Sequence, residues 1–350
     1  MLKAHAYRRS IVLCAAVAFS VQRYALADNN PPPPTIFKNF PVTTSALPQQ
    51  ATAPIQKDIS PSDFKIRLQN GGTIVLDGSP LRIGDPNFGA HTVSFVALDK
   101  LVLKNHASIV TNGNTLVLFV NELDSEDGSI ISFEDADKKA ATGADATSSG
   151  AAGNPGSPGI GGGNVSIHIV QALVGILHVD LHGQAGGNGG HGAAGVVGVQ
   201  GGGGTPCQAG IVGFPPHPGC KHDGGQGGKG GVGSSGGTGG DGGTSGQGGT
   251  LFLFNVGTTS LPSTSYTFTA DHGDPGVGGP GGAGGPGGPG GPGGDGNLFC
   301  HGGPTGPPGN AGPNGADGHT GTVNANGNLI AQNVDLTTAI EQAYNSTHDH

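Results

Sequence analysis

Residues 276–296 read GVGGPGGAGGPGGPGGPGGDG. Glycine fills two positions of every triplet, and the remaining position is mostly proline. A period of three is the repeat of the polyproline II helix, which rises about 3.1 Å per residue and has no internal hydrogen bonds. Its N–H and C=O groups must therefore find water or a neighbouring chain. A collagen triple helix is one ordered solution, and it needs one glycine per triplet. A bundle of such helices within one chain is the other. There, a helix on the rim needs one glycine per triplet and a helix between neighbours needs two. A second glycine does nothing for collagen and adds unfolded-state entropy against it. The stretch 276–296 is thus expected inside an intramolecular bundle. That reading implies a monomer, whereas the collagen-like alternative implies a homotrimer.

The period extends well beyond this stretch. Glycine occupies 150, 153, 156, 159 and 162, then every third position from 183 to 204 and from 224 to 242. Between 273 and 321 it holds 15 of 17 third positions, the exceptions being Asn297 and Cys300. Two breaks interrupt the runs, TPCQAGIVGFPPHPGCKH at 205–222 and NLFC at 297–300. The simplest path is outward, a turn, and back, which puts both breaks at the far end. Ile211, Phe214, Leu298 and Phe299 are the candidate ligand contacts there, because turn loops on a rigid support are a common place for binding. Cys207, Cys220 and Cys300 also fall in the breaks and are the disulfide candidates. Three pairings are open to them.

The run GGQGGKGGVGSSGGTGGDGG at 224–243, with cysteines nearby, resembles the polyproline II bundles of snow-flea-type antifreeze proteins. It also resembles the Gly-rich tip adhesins of phage tail fibres. The resemblance is one of architecture, covers about 150 residues, and implies layered helices with exposed tip loops.

Elsewhere the texture differs. Residues 1–27 fit a secretory signal peptide: a basic start (Lys3, Arg8, Arg9), a short apolar run from Ile11 to Val21, and Ala25-Leu26-Ala27 at the cleavage point. Residues 28–60 are Pro-rich and read as an extended linker. Residues 61–149 hold short β-branched runs punctuated by Asn70-Gly71, Asp77-Gly78, Asn112-Gly113 and Asp127-Gly128. They predict an all-β fold, a β-solenoid or alternatively a β-sandwich. Residues 150–325 alternate strands with glycine hairpins, and 326–350 read as a strand or short helix with a frayed tail.

Composition narrows the function classes. The chain has 350 residues, 72 of them glycine, about three times the usual share. Basic residues number 15 and acidic residues 24. Four basic residues (Lys3, Arg8, Arg9, Arg23) lie in the leader, so removing it leaves 11 against 24, a net of about −13. Nucleic acid and anionic lipid are excluded as partners on this balance, and no membrane span is expected. A secreted or cell-surface location, periplasmic or extracellular, follows from the leader.

Chemical motifs are weak. G-x-G-x-x-G matches are trivial in a period-three array, and GSSGG at 233–237 lacks the strand and helix of a hydrolase elbow. Asp124, Glu126 and Asp127 could hold calcium loosely, but a solvated acidic corner is expected. His178, Asp180 and His182 share one strand face and could hold zinc, though a polar row is expected there too. No catalytic residue, metal or cofactor is assigned. The expectation is a non-enzymatic, adhesin-like recognition or structural protein with a cell-surface or glycan ligand. The alternatives are an ice- or ordered-surface binder and a β-helix polysaccharide-active enzyme.

Overall fold

The computed structural model describes residues 33–84, 92–256 and 262–348. The leader, the start of the Pro-rich stretch and the last two residues lie outside them. In chain order the strands begin with β1 (Thr35–Lys38), β2 (Val42–Thr43), β3 (Thr73–Asp77), β4 (Pro80–Arg82), β5 (Val93–Lys104), β6 (Ser108–Val110) and β7 (Thr115–Ser125). There follow β8 (Ser129–Ile131), β9 (Asn164–Gly175), β10 (Leu177–Asp180), β11 (Gln208–Val212) and β12 (His217–His222). The last three are β13 (Thr250–Asn255), β14 (Tyr266–Thr269) and β15 (Leu329–Asn333). The helices are α1 (Gln49–Thr52), α2 (Pro61–Gly71) and α3 (Leu336–His348).

Two parallel sheets carry the fold. The larger has seven strands in the order β1-β3-β5-β7-β9-β13-β15, and the smaller six in the order β14-β10-β8-β6-β4-β2. Successive strands alternate between them. β7 shows why its sequence, TLVLFVNELDS, is nearly continuous in apolar residues. Leu116, Leu118 and Val120 face the core between the sheets, while Val117 and Phe119 face a second core under the helices. A strand buried on both faces loses the polar alternation of a half-exposed one.

The second core corrects the predicted fold class. Phe64 and Leu68 of α2 and Ala339, Ile340 and Ala343 of α3 pack with Phe95, Ala97, Val117 and Phe119 on the outer face of the larger sheet. The arrangement is α/β: two open parallel sheets with helices on one face. It is neither the all-β solenoid nor the β-sandwich expected. Every pair in the two sheets is parallel, unlike the usual sandwich. Both sheets end in open edges rather than closing, at β1 and β15 in one and at β2 and β14 in the other. FKIRLQNG falls in the 61–149 region expected to hold short strands, yet it belongs to α2. Ser60 accepts the Asp63 N–H at 3.1 Å, and Pro61 occupies the first helical turn, where its missing donor costs nothing. The Pro-rich stretch is also packed in part, with Leu47, Ala51 and Ile55 buried.

Six extended runs, among the described residues, join the smaller sheet to the larger. The first (138–146), third (183–204) and fifth (273–294) leave from the ends of β8, β10 and β14. The second (151–162), fourth (224–249) and sixth (303–327) lead back into β9, β13 and β15. Backbone hydrogen bonds tie them every three residues. Gly192, Gly195 and Gly198 of the third run donate to Pro280, Ala283 and Pro286 of the fifth, which runs parallel to it. Gly282, Gly285 and Gly288 of the fifth donate to Gly237, Ser234 and Gly231 of the antiparallel fourth. Outward runs thus form one layer and return runs the other. Proline loses no bond in the fifth run, because the carbonyls of Pro280, Pro286, Pro289 and Pro292 still accept from the third run.

Neighbour number follows glycine count. In the fifth run the first glycine of each triplet is buried, the second residue exposed and the third half-buried. A Cβ on Gly282 would lie 2.1 Å from the Ala193 carbonyl oxygen, and one on Gly284 would lie 1.9 Å from that of Gly312. Both faces therefore meet backbone. The sixth run lies at the rim and carries one glycine per triplet.

Candidate functional site

Two places gather side chains: the far end of the runs and their base. At the far end, β11 and β12 form an antiparallel hairpin between the third and fourth runs. Beside it, Asn297 closes the turn between the fifth and sixth, its side-chain oxygen accepting the Phe299 and Cys300 N–H groups at 3.0 Å. A Cys220–Cys300 disulfide joins the two turns, and Cys207 is free. The Cys300 sulfur also lies 3.3 Å from the Gln208 carbonyl. The four predicted contact residues all stand at this end and are exposed, Phe214 by 99%, Leu298 by 90%, Ile211 by 71% and Phe299 by 47%. These side chains sit on turns whose backbones are fixed by a disulfide and by ladder bonds, such as Cys207 N–H to Asp295.

At the base, a cleft of about 650 Å³ opens where the outward runs leave the smaller sheet. Lys138, Lys139, Asp180, His182, Asp271 and Asp274 line it. His182 contacts Asp180 through Nδ1, and its Nε2 lies 3.3 Å from an Asp271 oxygen. Lys138 pairs with Asp135 at 2.9 Å, which holds its ammonium pKa above the usual range and that of the carboxyl below. The sequence expectations group Asp180 and His182 but not Lys138, Asp271 and Asp274 with them, because these come from other excursions about 40 to 90 residues away. His178, grouped with Asp180 and His182 by strand alternation, instead bonds Thr267 at 2.9 Å.

The other metal-like patterns are occupied by ordinary pairs. Asp124 lies 3.4 Å from Lys100, and Asp127 accepts the His106 N–H at 3.0 Å. Among the described residues, the group that brings three ligand atoms within 4.8 Å is Cys220, Asp223 and Cys300. Both of its sulfurs are in the disulfide, so neither is a thiolate donor. In the hydrolase-like GSSGG, Ser234 accepts the Val196 N–H at 2.8 Å, and Ser235, at the nucleophile position, stands exposed in an extended run that no helix follows. No helix among the described residues is long and apolar enough to cross a membrane.

No protein-family model matches the chain, and no curated protein does. Among solved structures there is a similarity to a springtail antifreeze protein from Granisotoma rainieri, described as a nine polyproline type II helical bundle. It is 26% identical over 53% of this chain and 94% of that one, with a TM-score of 0.08. A score that low carries no argument about shared structure.

Proposed function

We propose that this is an exported, non-enzymatic recognition protein that presents an apolar tip to a cell-surface or glycan ligand. The observation that carries the reading is the tip itself. Phe214 and Leu298 stand almost fully exposed on two turns that one disulfide joins, at the end of a backbone-bonded bundle. Covering apolar surface yields about 25 cal/mol per Å², and pre-fixed turns lose little entropy on binding. The test is adhesion of the purified protein to whole cells and to a panel of immobilised glycans. Phe214→Ala with Phe299→Ala is expected to abolish binding while leaving the melting temperature unchanged. Binding that survives the double substitution contradicts the tip.

A second reading rests on the outward face of the fifth run. Pro280, Ala283, Pro286, Pro289 and Pro292 recur every third residue and are all exposed. Such a row of small rigid groups suits an ordered hydrated surface such as ice. Thermal hysteresis at micromolar protein supports this reading, and its absence removes it.

A further inference from the structure

The second run is shorter than its neighbours, and the ladder that holds it continues past its end. Its carbonyls at Ile160, Ser157, Asn154 and Ala151 accept N–H groups from Gln184, Gly187, Gly190 and Ala193 of the third run. Its own N–H groups at Gly153, Gly156, Gly159 and Gly162 donate to Thr238, Asp241, Thr244 and Gln247 of the fourth. It therefore lies antiparallel to the third run and parallel to the fourth. The next donor in the series, Val196, is taken by the Ser234 hydroxyl. Beyond it, among the described residues, Val199 and Gly202 are donors without a partner, and the Val232 and Lys229 carbonyls accept no bond.

The glycine pattern continues as well. In the fourth run, Gly237, Gly240, Gly243 and Gly246 are buried under the second run, and a Cβ on Gly240 would lie 2.0 Å from the Asn154 carbonyl oxygen. Gly225, Gly228 and Gly231 continue the same register but are only half-buried. A Cβ on Gly228 would come no closer than 3.0 Å to any atom, and one on Gly202 would meet nothing within 4 Å. Packing within this chain does not require glycine at Gly202, yet glycine stands there, flanked by the exposed apolar side chains Val199 and Val232. Backbone groups left unpaired along an ordered edge form a template for another chain.

We propose that this edge docks an extended polypeptide with glycine at every third residue. The added segment lies in line with the second run, antiparallel to the third and parallel to the fourth. Continuity with the interface already formed by the second run fixes that chemistry: its glycines face the third run, as Gly153 and Gly156 face the Gly190 and Gly187 carbonyls, its N–H groups meet Val232 and Lys229, and its carbonyls meet Val199 and Gly202. About nine residues fill the edge at polyproline II rise.

The probe is a synthetic peptide with the sequence of residues 150–162, titrated into the full chain while amide exchange is followed. The expected result is added protection at Val199 and Gly202. Gly202→Pro removes one of the two unpaired donors and keeps a polyproline II backbone, so it is expected to keep the melting temperature and to weaken peptide binding at least tenfold. No binding at millimolar peptide, equal binding by Gly202→Pro, or protection confined to other residues would each overturn the proposal. Self-association of the parent chain that Gly202→Pro abolishes would assign the edge to a second copy, and would also overturn it.

Discussion

A Cβ on Gly236 would lie 2.0 Å from the Gly282 carbonyl oxygen, and no backbone dihedral is involved in that restriction. The restriction is contact with another run, so Gly236→Ala must push two runs apart. It is expected to destabilise by about 1–3 kcal/mol, read as a fall in melting temperature. Gly203→Ala, whose nearest neighbour would be a Pro292 ring atom at 3.9 Å, is the matched control and should be neutral. His168 makes a different kind of residue-scale prediction. Its ring stacks between Phe119 and Phe254 at 4.0 and 4.6 Å, Nε2 meets Ser166, and Nδ1 has no partner among the described residues. Burial lowers its pKa to about 3 from 6.5. Between those values the unfolded chain binds the proton and the folded chain does not. Stability is therefore expected to fall as pH drops below about 6.5, by up to about 1.4 kcal/mol per unit. His168→Phe should flatten the change in melting temperature between pH 7 and 5, and an unchanged slope would contradict this account.

At the scale of elements, the Cys220–Cys300 bond closes a loop across 80 residues and couples two turns. Cys300→Ser is expected to lower stability by up to about 4.5 kcal/mol on the chain-entropy model, and to loosen the Phe214 and Leu298 turns first, as seen by amide exchange at the tip. The helices are more modest: Ser60→Ala removes the α2 cap and should cost about 1 kcal/mol. Elements also show what was legible in the sequence. The glycine runs were, because close approach of two backbones leaves one residue type, and the count per triplet tracks the neighbours each run has. The fold class was not. The β-branched runs and Asn-Gly and Asp-Gly pairs of 61–149 suggested strands throughout, although Ser60, Pro61 and Asp63 stood there as a helix start. Tertiary packing on the larger sheet decided the outcome. The base cleft was illegible for a different reason: Lys138, His182 and Asp271 meet only once three excursions stack.

Across the whole molecule, two layers of runs continue two parallel sheets, and each excursion leaves one sheet and returns to the other. The ladder from Gly276 to Gly294 places the opening stretch between three other runs of the same chain, where its bare backbone is what permits hydrogen bonding at close range. Under the proposed function, reach and stiffness belong to these runs and recognition to the turns beyond them. All of this depends on the runs pairing within one chain. Light scattering followed through thermal melting tests that point most directly. A single-chain mass before and after the transition, with a midpoint independent of protein concentration, is the result this account predicts. A native mass three times larger that falls by a factor of three on melting would contradict it, and would assign the glycine triplets to a collagen-like trimer.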